Sequence, residues 1–159
     1  MGYRDLIVAA GLILFAGCQR AAPPPVAAPP VVFNTTIPLR DLMEHMIDPA
    51  TDVVWAASGT MVDFKGEHDL APKTDAEWAR VHDAAMVVAE GGNLLLLPGR
   101  IRPGVTWTRQ AGRLSTLGLE AMKAADARDK AAMLRIGGDI HDACEECHRV
   151  YVLGEPPKP

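Results

Sequence analysis

The sequence is short of the residues on which many chemistries depend. Aromatic residues make up 5% of its 159 residues, and only three cysteines occur. A core with so few rings rests on Ala, Val, Leu and Met, which suits packed helices better than strands. No Lys/Arg run occurs and the formal net charge is −4, so the footprint of a nucleic-acid binder is missing and that class is excluded. The longest apolar run, Leu6 to Phe15, spans ten residues, well short of the ~20 that a membrane-crossing helix needs. There is no internal repeat, which excludes a solenoid. No set of general acid, general base and nucleophile stands out, so an enzyme is not expected.

What is present begins at the N-terminus. "MGYRDLIVAAGLILFAGC" has the build of an export signal: one Arg, an apolar stretch, then small residues before Cys18. Ala16-Gly17-Cys18 resembles the lipobox of bacterial lipoproteins, in which the cysteine is lipidated and becomes the first residue. Ordinary cleavage is the alternative, but Gln19-Arg20 and the prolines beyond offer it a poor site. In such lipoproteins a residue other than Asp after the cysteine implies the outer membrane, and here it is Gln19. Residues 1–17 are therefore expected to be a signal peptide. Residues 18–37, rich in Pro and Ala, read as a lipid-anchored tether. Extended at ~3.1 Å per residue, it would hold a domain up to ~60 Å from the membrane on its periplasmic side.

If Cys18 carries lipid, Cys144 and Cys147 remain, within "HDACEECHRVY". With His148 they form Cys-x-x-Cys-His, the pattern of covalent c-type haem attachment. Chance would produce it about once in a thousand chains of this length. An oxidised cysteine pair would not call for the adjacent histidine. Zinc is a second alternative, with His141 as fourth ligand, but tetrahedral zinc usually gathers two separated pairs rather than two turns of one helix. A thiol redox site belongs near a βαβ pattern, which is absent. Haem also suits an exported chain, because c-type haem is attached outside the cytoplasm.

Four helical segments are predicted. The first runs from Leu39 to about Ser58, with Leu39, Leu42, Met43, Met46, Ile47, Val53 and Val54 at spacings of three, four and seven. Asp48-Pro49 interrupts it, as a kink or as the cap of a continuing helix. Thr60 to Lys73 lacks periodicity and reads as a loop. A capping box, "TDAE" at Thr74 to Glu77, opens the second helix, which Pro98-Gly99 stops. Gly91-Gly92 should weaken it, and the four leucines from 94 to 97 need a neighbour or a second subunit. The third runs from Thr106 to Asp126. The fourth starts near Arg128 and carries Met133, Ile136, Gly137, Ile140, Cys144, Cys147 and Tyr151 on one stripe facing the core. The expected fold is all-α, an antiparallel four-helix bundle over residues 38–153 with haem c on the C-terminal helix and a tail at 154–159.

This arrangement resembles the class II c-type cytochromes, the cytochrome c prime-like family. The residues that carry the resemblance are Gly137 or Gly138, Cys144, Cys147, His148, Tyr151, and "RPGVTW" before the third helix. It implies one haem c bonded to Cys144 and Cys147, with His148 as the proximal iron ligand. It also implies that Trp107 and Tyr151 pack on the haem and that a homodimer through the first two helices is possible. In low-spin members a methionine of the first helix is the sixth ligand. "LRDLM" points to Met43, with Met46 second and His45 turned away. Such a protein exchanges single electrons with redox partner proteins. With an open sixth position it would instead bind a small gas such as nitric oxide. Arg100, Arg102 and Arg149 are candidate partners of the haem propionates, with solvated arginines as the alternative, and His141 either borders the site or stands in solvent. His45, His68 and His82 read as surface residues, and Met61, Met86, Met122 and Met133 as core or rim methionines.

Overall fold

A computed structural model describes residues 31–155. The proposed signal peptide, Cys18 and most of the tether lie outside the described residues. The domain is mostly helical, with four helices and one small two-stranded sheet. The first helix, α1, is continuous but has three parts: Leu39–Leu42 and Asp48–Trp55 are α-helical, and Met43–Ile47 between them is π-helical. The cause lies in Pro49, which has no N–H for the carbonyl four residues back and whose ring crowds it. The backbone takes up one extra residue just before this point, and the Asp48 N–H donates to the Met43 carbonyl five residues earlier. Asp48-Pro49 therefore does not break the helix; the π-helical turn before it re-phases it.

The helix ends at Trp55 rather than Ser58, and Gly59 (φ +91°) turns the chain away. The next stretch corrects the loop expected there. Thr60–Asp63 (β1) and Gly66–Asp69 (β2) form an antiparallel hairpin, pairing Thr60 with Asp69 and Asp63 with Gly66. Asp63 Oδ1 accepts the Lys65 N–H at 2.7 Å across the tight turn. Both faces of β1 are exposed, so no alternation of apolar and polar residues advertises these strands. Asp69 joins the hairpin to Lys130 (2.5 Å) and to Lys73 (3.2 Å). Hydrogen bonds from Lys130, the Ala71 N–H and Lys73 hold its carboxyl well below the usual aspartate range. A depressed carboxylate stabilises a fold above its unfolded-state value and ceases to do so as pH falls. The Ala71 amide, which donates to the Asp69 carboxylate at 2.9 Å, is therefore expected to keep its NMR shift as pH falls through the usual aspartate range and to move only below it. An unchanged shift under acid would show that the ion pair does not anchor the hairpin.

Helix α2, Asp75–Leu95, opens with the predicted capping box: Thr74 Oγ1 accepts from Glu77 N at 3.2 Å, and Glu77 accepts from Thr74 N at 2.9 Å. Helix α3 spans Val105–Ala127 and helix α4 Lys130–Tyr151. Two residues join them, Arg128 in the left-handed region (φ 54°) and Asp129, whose carboxylate caps α4 by accepting from Ala132 N. The fourth helix thus starts two residues later than expected.

The core contains Leu42, Ile47, Val54, Val88, Leu95, Leu114, Met133, Ile136 and Ile140. Gly92 sits where α2 meets α3: a Cβ there would lie 2.5 Å from the Ala111 carbonyl oxygen and 2.6 Å from Ser115 N. Gly118 answers it from α3, with a Cβ position 2.4 Å from Ala89 N. Gly92 is thus a contact point between backbones as well as a weak place in a helix, while Gly91 makes room for the Ile47 side chain, 2.9 Å from its Cβ position. Of the four leucines, Leu95 is buried and Leu94 and Leu96 pack partly against the core.

Candidate functional site

On α4 the expected stripe is buried at Met133, Ile136, Gly137 and Ile140, then opens toward the C-terminus, where Cys144 and Cys147 are half-buried free thiols. A cavity of about 520 Å³ lies beside them, inside the ~300–1,000 Å³ range of small-molecule and cofactor pockets. Cys144, Cys147 and His148 form one wall. Helix α1 supplies a second part of the lining, with Met43, Ile47, Thr51 and Trp55. Leu95 of α2 and Gln110, Ala111 and Leu114 of α3 complete it. Residues 43, 47, 51 and 55 are four apart, so a single helix face supplies them.

A second cavity, about 380 Å³, shares Met43, Cys147 and His148 with the first and adds Trp107, Tyr151, Arg40 and Arg102. Trp107 is 3% exposed, donates its indole N–H to the Leu95 carbonyl at 2.9 Å, and meets the Tyr151 ring edge-on at 5.1 Å. The Tyr151 hydroxyl does more than pack. Helix α3 has no capping side chain of its own, since Gly104 stands at its N-cap. Instead the Tyr151 hydroxyl accepts the Trp107 N–H at 3.0 Å and donates to the Pro103 carbonyl at 2.9 Å. A side chain from α4 thus satisfies one of the orphan N–H groups that open α3. Gly104 permits the approach: its φ is +101° and a Cβ would stand 3.1 Å from the hydroxyl.

Burial is also the main influence on the two thiols. It pushes Cys144 up to about 11, helped by the negative charges of Asp48 and Cys147, and raises Cys147 as well, helped by Glu146. Both are neutral thiols at neutral pH, the reverse of the acidic thiolate in a redox Cys-x-x-Cys. Among the described residues, His141 does not join the cysteines in a metal-like group; it gathers with exposed Asp142 and Glu145.

The sequence-derived candidates thus fall into two sets. Met43, Cys144, Cys147 and His148 come together at the first cavity, and Trp107 and Tyr151 at the second. Met46 is half-buried against the core, and His45 is exposed. Neither is a lining residue of these two cavities. Of the arginines, Arg102 lines the second cavity, Arg149 lines the first and pairs with Glu146 at 2.7 Å, and Arg100 is buried beside the Leu94 carbonyl. His141 borders the first cavity against Trp55, with ring centroids 6.3 Å apart.

Sequence reasoning missed Thr51, Trp55 and Gln110. Trp55 donates its indole N–H to the Gly137 carbonyl at 2.9 Å, and a Cβ at Gly137 would stand 3.2 Å from its ring. The Gly137 position thus admits Trp55 at the cavity rim. The four-residue ladder from Met43 was the available signal, but it emerges only once α1 is known to continue through Pro49. Comparison of the chain with protein-family models, curated proteins and solved structures gives no match.

Proposed function

We propose that this chain is a class II-type cytochrome c that carries single electrons. In this reading its four helices form an antiparallel bundle, with one haem c between α1 and α4. The observation that carries the reading is the convergence of Met43 with Cys144, Cys147 and His148 on one cavity. These residues fit the group: two neutral thiols one helical turn apart, an imidazole directly after them, and a thioether from α1 lining the same cavity. When bound, haem c supplies a one-electron iron couple.

In this reading Cys144 and Cys147 would hold the group by two thioether bonds, and His148 would bind its metal from α4. Met43 approaches from α1, and a methionine ligand raises the reduction potential. Ile47, Leu95 and Leu114 keep water from the interior part of the cavity. Trp107 and Tyr151 fix the end of α4 against α3, which limits how far His148 can drift. Cys18 would tether the domain to the periplasmic side of a bacterial membrane, the outer one by the Gln19 rule, within reach of redox partner proteins. A homodimer through the first two helices belongs to the same proposal. The second reading is a five-coordinate protein that binds a gas such as nitric oxide. Ile47 favours it: this buried side chain lies one turn from Met43 on the same wall, where it would cover an open coordination position.

Spectra of Met43→Ala decide between the two. The wild type is expected to be low-spin in both redox states. Met43→Ala should turn it high-spin and let carbon monoxide bind readily, whereas Met46→Ala should leave the spectrum unchanged. A high-spin wild type would favour gas binding, and an effect confined to Met46→Ala would move the ligand to Met46.

A further inference from the structure

Gln110 is the odd member of the first cavity's wall. It is 6% exposed, and its Oε1 meets no donor among the described residues. A buried amide oxygen left in that state costs about 1–3 kcal/mol. Gln110 is also held firmly in place. Trp107, one turn earlier, is bonded through both its backbone and indole N–H groups, and Gly92 brings α2 against Ala111 and Ser115. The oxygen cannot easily leave the cavity to reach water.

Several donors on this wall have acceptors of their own. Thr51 gives its hydroxyl hydrogen to the Ile47 carbonyl at 2.7 Å, Trp55 donates to Gly137, and Arg149 donates to Glu146. His141 leans toward Asp142 at 3.8 Å. The His148 ring, exposed on its outer side, lines the same cavity and makes no hydrogen bond among the described residues. We infer that Gln110 is a positioning residue for His148, its Oε1 accepting the N–H of the ring nitrogen that does not bind metal. The inference rests on the haem reading above.

Metal-bound imidazoles commonly donate their second N–H to an oxygen, which fixes the tautomer and ring orientation and strengthens the imidazole as a ligand. A stronger imidazole ligand favours ferric over ferrous iron. Asp48, Glu145 and Glu155 also line the cavity, but all three are exposed. A solvated carboxylate must give up water to take the bond, while a buried, unpaired amide oxygen has nothing to lose.

The test uses the haem-loaded protein with Gln110→Leu, which removes the acceptor, and Gln110→Glu, which strengthens it. Both stay close to the original volume. At a fixed ambient potential the ferric-to-ferrous ratio should fall about tenfold in Gln110→Leu and rise in Gln110→Glu. In a Met43→Ala background, the iron–imidazole stretching band in resonance Raman should move down with Leu and up with Glu. A band that stays put in both, or potentials that shift the same way in both, would reduce Gln110 to a packing residue and overturn the inference. Those results leave the haem reading standing. A wild type without covalent haem would remove both readings together, and that is visible before any variant is made.

Discussion

Replacing both Cys144 and Cys147 with alanine is expected to abolish haem staining on a denaturing gel. Either single change should leave one thioether and a weaker but visible band. The geometry sets this expectation: both thiols border the cavity within one turn of α4, with His148 next in sequence. No other cysteine exists outside the N-terminal segment that ends in Cys18. Cys18→Ala should retain the stain and move the protein from the membrane fraction to the soluble periplasm. Staining that survives the double change would end the covalent reading. A Cys18 variant that stays membrane-bound would end the lipoprotein reading without touching the haem site.

Gly118→Ala is expected to have the largest effect on stability of any single methyl added to the helices. The new carbon would stand 2.4 Å from Ala89 N, 2.6 Å from its Cα and 2.8 Å from its Cβ. None of these is the far end of a flexible side chain, so α2 and α3 must separate. Overpacking of this kind costs about 3 kcal/mol at its upper range, and the better helix propensity of alanine returns about 1 kcal/mol. The net loss of about 2 kcal/mol should lower Tm by roughly 8 °C. Gly92→Ala should behave alike. Gly112→Ala, on the same helix with open space around its Cβ position, should instead stabilise by up to about 1 kcal/mol. Thermal melts followed by circular dichroism read all three. Equal Tm values for Gly112→Ala and Gly118→Ala would contradict the packing described for α2 on α3.

Much of the last helix was legible before the structure, because its stripe of apolar residues and its Cys-x-x-Cys-His obey a single period from Met133 to Tyr151. The capping box at Thr74 was legible because it is a local hydrogen-bond pattern four residues long. Three features were not, each for a physical reason. The register of α1 past Ile47 depends on the π-helical turn before Pro49, and a fixed 3.6-residue period cannot anticipate one inserted residue. Thr51 and Trp55 were missed as cavity residues for that reason. The Thr60–Asp69 hairpin carries no buried face, so its strands leave no mark in the hydropathy. The roles of Gly92, Gly118 and the Tyr151 hydroxyl are contacts between residues far apart in sequence. Local pattern showed a weakened helix and an aromatic near the motif, but neither backbone contact nor the cap that Tyr151 provides for α3.

In the proposed function this domain holds one haem by covalent bonds to α4. The most direct measurement is the intact mass of the wild-type protein, expressed with an export pathway and unfolded in acid before analysis. The expected mass is that of the mature lipidated polypeptide plus one haem, with the added mass located on the peptide that contains Cys144 and Cys147. A mass equal to the polypeptide alone, or haem that dissociates on unfolding, would contradict it.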